Sequence, residues 1–299
     1  MIKRTIYIEN EYQLCLKLGQ IQLISADDQQ EKKTIPIEDV GYLIVENKHT
    51  TLSNALLAAL AENNVIVVHC AGNQMPVSYT LPLQANTLFS QRLKQQIQAS
   101  LPLQKSIWQQ LIKSKIRNQR HNMECRTIPS AKMKKWETEV LAGDTKNHEA
   151  LAAAFYWSNI TGISDFVRLA EGMPPNQLLN YGYAILRAVT AKALAGSGLH
   201  PSIGVFHRNK YNPYCLADDV MEPYRPMVDA CALKIMDAGF DYTTLDKTLK
   251  KHLLQIPVMD VKIDGKTSPL SVAMSRTTAS LTDMYAGKKK RLLLPEMVS

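Results

Sequence analysis

Thr5-Ile6-Tyr7-Ile8-Glu9, Gln13-Leu14-Cys15-Leu16-Lys17-Leu18 and Gln20-Ile21-Gln22-Leu23-Ile24 alternate apolar with polar side chains over residues 5–24. A period of two puts successive side chains on opposite faces of a strand, so each run predicts a half-buried β-strand. Gly19 supplies a tight turn between the second and third runs. Working outward, Gly41-Tyr42-Leu43-Ile44-Val45-Glu46 predicts a more buried strand. Thr51 or Ser53 then caps a helix in which Leu56, Leu57 and Leu60 recur at helical spacing, and Val65-Ile66-Val67-Val68-His69 returns to strand. The Gly72-Asn73-Gln74-Met75-Pro76 turn and the Leu81-Pro82-Leu83 bend end this part.

Beyond Pro82 the texture changes to long helical windows over 86–100, 103–119, 131–140, 147–158, 176–195 and 217–238, separated by loops rich in Gly and Pro. Asn176, directly after Pro175, is expected to cap the helix that carries Tyr181, Tyr183 and Arg187. The expected fold is α+β, with a small N-terminal β-rich domain over 1–82 and a larger all-helical domain over 83–299. A length of 299 residues suits two domains.

A formal net charge of +8 favours a polyanionic partner, because clustered Lys and Arg displace the counterions condensed on nucleic acid. The charge is uneven. From Arg92 to Lys135 eleven Lys or Arg residues face one acid, Glu124, with Trp108, His121 and Trp136 interleaved. The run reads either as a phosphate-tracking surface or as a solvated face, and the tryptophans either as base-stacking rings or as core. Lys288-Lys289-Lys290-Arg291 adds a shorter cluster. The five cysteines are scattered without a C-x-x-C pair, which argues against a disulfide framework or zinc ribbon and for a reducing compartment. No signal-peptide apolar block and no run of about 18 apolar residues is present, so the expected location is the cytoplasm, away from membrane.

Three segments place groups that a divalent cation can use. Glu149 opens a helix that continues through Ala152, Ala153 and Tyr156 on one face; its alternative role is to complement the positive end of the helix dipole. His207 ends the apolar run Ile203-Gly204-Val205-Phe206 and is either a structural or a ligating imidazole. Asp219 and Glu222 stand three apart on one helical face, where their like charges need a neutralising partner. That partner is either Arg225, which can also pair with Asp229, or a metal; oxygen donors with one imidazole suit Mg2+ or Mn2+ better than zinc. There is no G-x-S-x-G elbow and no P-loop, so the attacking hydroxyl would come from water or from a nucleic-acid 3′-OH.

Four motifs, in order, carry a resemblance: Asn147-His148-Glu149-Ala150-Leu151-Ala152-Ala153-Ala154-Phe155-Tyr156-Trp157; Pro175-Asn176-Gln177-Leu178-Leu179-Asn180-Tyr181-Gly182-Tyr183; Gly198-Leu199-His200-Pro201 leading to Gly204-Val205-Phe206-His207; and Leu216-Ala217-Asp218-Asp219-Val220-Met221-Glu222-Pro223-Tyr224-Arg225-Pro226 with Val228-Asp229. Over essentially its whole length the chain resembles CRISPR-associated protein one, the integrase subunit of spacer acquisition, in the version of type II systems. One departure is Ala150, where the family often has Gly after the motif glutamate.

The resemblance implies metal ligands at Glu149, His207 and Glu222, with Asp219 as an auxiliary carboxylate. It implies a homodimer formed through the β-rich domains, two such dimers flanking a dimer of CRISPR-associated protein two. The implied reaction joins the 3′-OH ends of a short prespacer duplex to the two strands of a CRISPR repeat by metal-assisted transesterification. Arg92, Lys94, Tyr181, Arg208 and Arg225 are the candidate DNA contacts. A metal-dependent nuclease that uses water is the alternative enzyme, and a noncatalytic DNA-binding scaffold is the third reading.

Overall fold

The computed structural model describes residues 3–25, 32–82 and 84–298, so Leu83 of the expected bend lies outside the described residues. The chain forms two compact units, Met1–Thr87 and Leu88–Ser299.

In the first unit the alternating runs become β1 (Arg4–Ile8), β2 (Tyr12–Lys17) and β3 (Gln20–Ser25), followed by β4 (Lys32–Pro36), β5 (Val40–Val45), β6 (Thr51–Leu52), α1 (Asn54–Glu62), β7 (Ile66–Cys70) and β8 (Pro76–Thr80). One sheet has the order β1-β5-β7-β8, with the first three strands parallel and β8 antiparallel at the edge; the other has the order β4-β3-β2-β6. Every residue of β5 is buried, as expected of a parallel strand covered on both faces. Ile6, Ile8, Leu14, Ile21, Leu23, Leu43, Leu56 and Leu60 share one core. Of the two cap candidates it is Ser53 that caps α1, its Oγ accepting from Leu56 N at 3.3 Å. The Gly72–Pro76 turn does not end the sheet but leads into β8, which pairs with β7.

The second unit contains α2 (Phe89–Ile97), α3 (Leu101–Cys125), α4 (Ala131–Glu139), α5 (His148–Ile160), α6 (Asn176–Gly196), α7 (Cys215–Met221), α8 (Arg225–Asp237), α9 (Lys247–Leu253) and α10 (Leu270–Tyr285). The long helices α3 and α6 are its spine, with α4, α5 and α8 packed on α3 and with α7, α8, α9 and α10 packed on α6. Gly182 lets α6 approach α8, since a Cβ there would lie 2.5 Å from Val228 Cγ1. No helix among the described residues is long and apolar enough to cross a membrane.

Two expectations need correction. The unit is not wholly helical: β9 (Asp260–Ile263), β10 (Lys266–Pro269) and β11 (Pro295–Glu296) form a three-stranded sheet of order β10-β9-β11. Asp264 and Gly265, both at positive φ, make the β9–β10 hairpin, and such an Asp-Gly pair between alternating residues is a hairpin signal in its own right. The window 217–238 is not one helix either. Pro223 and Pro226 cannot donate to the helical ladder, and a single 3-10 turn, Glu222–Tyr224, separates α7 from α8.

Candidate active site

That break places Glu222 at the junction of α7 and α8, where it meets α5 and α3. Asp144 caps α5 from outside, its two oxygens accepting from His148 N and Glu149 N at 2.9 Å each. Glu149 itself turns toward α3 rather than merely complementing the helix dipole. Lys115 Nζ donates to Glu149 Oε1 at 2.6 Å and lies 2.6 Å from Glu222 Oε2. Arg225 Nε is 2.9 Å from the other oxygen, Glu222 Oε1, while its guanidinium sits 4.7 Å from the centre of the Tyr183 ring.

The Lys115 and Glu222 side chains are buried, 9% and 6% exposed, whereas Glu149 is 28% exposed. Burial alone would lower the Lys115 pKa, but Glu222 and Glu149 outweigh it and hold the ammonium above its ordinary value. Burial would likewise raise Glu222, yet Arg225 and Lys115 hold this carboxyl below the usual range. Glu222 Oε2, although beside Lys115, has no hydrogen-bond donor aligned on it.

The second half of the site is built on Asp219, which is fully buried. Its Oδ2 accepts from Val205 N at 2.7 Å and Phe206 N at 3.0 Å; its Oδ1 takes His207 N at 3.2 Å and His207 Nδ1 at 2.6 Å. Gly204 makes this possible, because a Cβ there would collide with the His207 carbonyl oxygen and lie 2.9 Å from Asp219 Oδ2. Asp219 therefore anchors the loop that carries His207, with both oxygens committed. The hydrogen bond to Asp219 raises the imidazole pKa against a smaller effect of burial, and leaves Nε2 as the nitrogen available to a ligand. Trp108 stacks on Phe206 with ring centres 4.1 Å apart and meets His207 edge-on at 5.7 Å.

Glu149, Glu222 and Lys115 line a cleft of about 360 Å³ together with Arg168 and Tyr183. His207 lines a different one, about 760 Å³, with Arg208 and Lys210. The two carboxylates are brought together, and the imidazole senses Glu222 through space, but the three groups expected as ligands do not converge on one point. Among the described residues no three His, Cys, Asp or Glu side chains are placed to hold a metal in this arrangement.

The donor chemistry nevertheless fits a hard divalent cation. Two carboxylates already surround one positive charge, and an imidazole oriented by Asp219 feels the charge of Glu222.

The expected DNA contacts divide. Lys94 and Arg208 are exposed, the latter donating to Gln104 Oε1 at 2.9 Å. Arg92 lies across the Ser197 carbonyl at 2.7 Å. Tyr181 is fully buried in α6, which leaves its ring no surface to offer DNA. Nor does the basic run form one stripe. Arg117 pairs with Glu137, Arg120 with Glu124 and Glu137, and Arg126 with Asp237, acids that mostly lie beyond the run in sequence. Trp108 is core. Two cleft residues were missed in the sequence, Lys115 and Arg168. Lys115 had a signal: Trp108, Leu111, Lys115, Asn118 and Asn122 repeat at three and four along one buried stripe of α3.

The family described as CRISPR associated protein Cas1 matches residues 6–255. The chain is 32% identical to the CRISPR-associated endonuclease Cas1 of Neisseria meningitidis serogroup C (strain 8013), over 100% of this chain and 97% of that protein. Among solved structures it is similar to a casposase bound to integration product, with a TM-score of 0.78 at 18% identity over 98% of this chain and 92% of that one. It is also similar to a chain of a Cas6-RT-Cas1–Cas2 complex, with a TM-score of 0.73 at 17% identity over 97% of this chain and 36% of that one.

Proposed function

Because the chain belongs to the Cas1 family of CRISPR-associated proteins, we propose that it is a DNA integrase of CRISPR adaptation, joining the 3′-OH ends of a prespacer duplex to the strands of a CRISPR repeat. One observation carries the reading: residues remote in sequence, Glu149 on α5 and Glu222 at the α7–α8 break, meet around one positive charge. The Neisseria relative is an endonuclease by name, and the similar casposase is bound to integration product; both support phosphodiester chemistry of this kind.

Glu149, Glu222 and His207 through Nε2 would hold Mg2+ or Mn2+, which supplies Lewis acidity at the target phosphate when bound. Asp219 keeps the imidazole in one tautomer and orientation. Arg225 offsets the charge on Glu222, and Arg168 presents a second cation at the cleft. These cations orient phosphate so that the 3′-OH and the scissile bond meet in line. The β-rich unit would serve as the homodimer surface, and dimers would flank a dimer of CRISPR-associated protein two, a partner suggested by the likeness to a chain of the Cas1–Cas2 assembly.

Strand transfer onto a repeat-containing duplex tests this. Glu149→Gln and His207→Ala should each lower joining by at least about 100-fold while leaving the fold and most of the DNA affinity in place. Retained joining by either variant overturns the reading. A prespacer ending in 3′-phosphate should not be joined; cleavage of the target that is indifferent to that change would instead mean that water is the nucleophile.

A further inference from the structure

We propose that Lys115 is the resident counter-cation of the site, and that its ammonium and the divalent ion are mutually exclusive occupants of the space between Glu149 and Glu222. The inference rests on the proposed metal site and goes beyond it. Nζ lies 2.6 Å from Glu149 Oε1 and 2.6 Å from Glu222 Oε2, whereas an ion bound by both oxygens would need about 2.1 Å to each. Both cannot stand there. Repulsion works in the same direction as size, because Lys115 and Glu222 are buried and like charges beside them are poorly screened.

On Glu222 both oxygens already face a cation. Glu222 Oε1 faces Arg225, so only Oε2 remains for a second cation, and that oxygen faces Lys115. The ammonium places one positive charge between the two carboxyl groups in the absence of metal. A lysine suits this role because a point charge on a flexible stem can leave while α3 stays in place, as a bidentate guanidinium could not so easily. The cleft of about 360 Å³ on which Lys115 opens also holds Arg168, and it is where a phosphate would receive the released ammonium.

Manganese binding to the full chain without DNA, followed by electron paramagnetic resonance and calorimetry, tests the exclusion without reference to activity. Lys115→Met, of similar length and no charge, should bind Mn2+ at least about tenfold more tightly than the unaltered chain. Equal or weaker binding overturns the proposal. The double variant Glu149→Gln/Glu222→Gln separates the two levels. If it abolishes manganese binding while Lys115→Met changes nothing, this inference fails and the metal site stands. If manganese binds the double variant undiminished, the metal site itself fails, and the exclusion with it. Manganese-soaked crystals of the unaltered chain decide the point even if Lys115→Met does not fold. Metal density between Glu149 and Glu222 should coincide with Nζ beyond about 4 Å of at least one carboxylate; Nζ within that reach of both overturns the exclusion.

Discussion

Asp219 has four donors on two oxygens and no exposure, so its replacement by Asn turns one accepting atom into a donor that faces another donor. Asp219→Asn should cost about 1–3 kcal/mol in denaturant melts and lower strand transfer through misplacement of His207. A melt within about 0.5 kcal/mol of the unaltered chain would mean that the loop does not depend on this anchor. Glu149, His207, Asp219 and Glu222 stand out in the sequence because each is a polar group in an apolar or helical setting, and the fold pairs Glu149 with Glu222 around Lys115 and His207 with Asp219. The division of labour was not legible. Spacing places Asp219 and Glu222 on one face, but only the fold shows Asp219 turned inward to the 205–207 backbone and Glu222 outward to Lys115 and Arg225. Lys115 was hidden by composition: counted among eleven basic residues it reads as surface, whereas its place in the buried stripe of α3 marks it as a charge that must find carboxylates.

Between α5 and α6 one side chain, Asn176, makes four of the contacts that hold the chain. Asn176 does not cap α6, contrary to expectation, but is its first residue, and the side chain reaches back over the preceding loop. Its Oδ1 accepts from Leu169 N at 3.0 Å and Arg168 Nη1 at 2.9 Å, and its Nδ2 donates to the carbonyls of Val167 at 3.0 Å and Met173 at 2.9 Å. With Asn180, which accepts from Arg168 Nη2 at 2.7 Å, this lock delivers Arg168 to the cleft, where its guanidinium lies 5.1 Å from the centre of the Tyr183 ring. Asn176→Ala should destabilise by about 1–3 kcal/mol and speed amide exchange over 167–173 while the body of α6 keeps its protection; unchanged exchange in that loop would refute the lock. Elements with a strong period were readable, as the strands of 5–24 and the helices α3 to α6 illustrate. Those missed were short or defined by distant partners. The two residues of β11 acquire their strand character from pairing with β9, and the α7–α8 break depended on prolines whose effect on 217–238 the helical spacing concealed.

The stability of the whole helical unit should carry the signature of one buried acid. Asp229 on α8 is 1% exposed and is hydrogen-bonded to Tyr183 of α6 and Tyr156 of α5, the hydroxyl of Tyr156 accepting in turn from Asn122 of α3, so three helices meet at its carboxyl and a fourth is linked to it. Burial drives its pKa from 3.8 up to about 7, against the opposing pull of the Tyr183 and Tyr156 hydrogen bonds and of Arg168 and Arg225. In the unfolded chain the group has already lost its proton well below that point. Between the two values the folded state binds more protons than the unfolded one, so stability falls as pH rises through this window and levels off above it. A shift of this size corresponds to a loss of the order of 4 kcal/mol. Other titrating groups contribute to the measured profile, but they do so equally in Asp229→Asn, whose amide keeps the shape of the protonated acid without its ionisation. The difference between the two chains should therefore isolate Asp229: near zero at pH 4, growing in favour of Asn through neutrality, and constant above about pH 8. Denaturant unfolding across that range decides it, and a difference that does not change with pH would show that the carboxyl is ionised in the fold throughout.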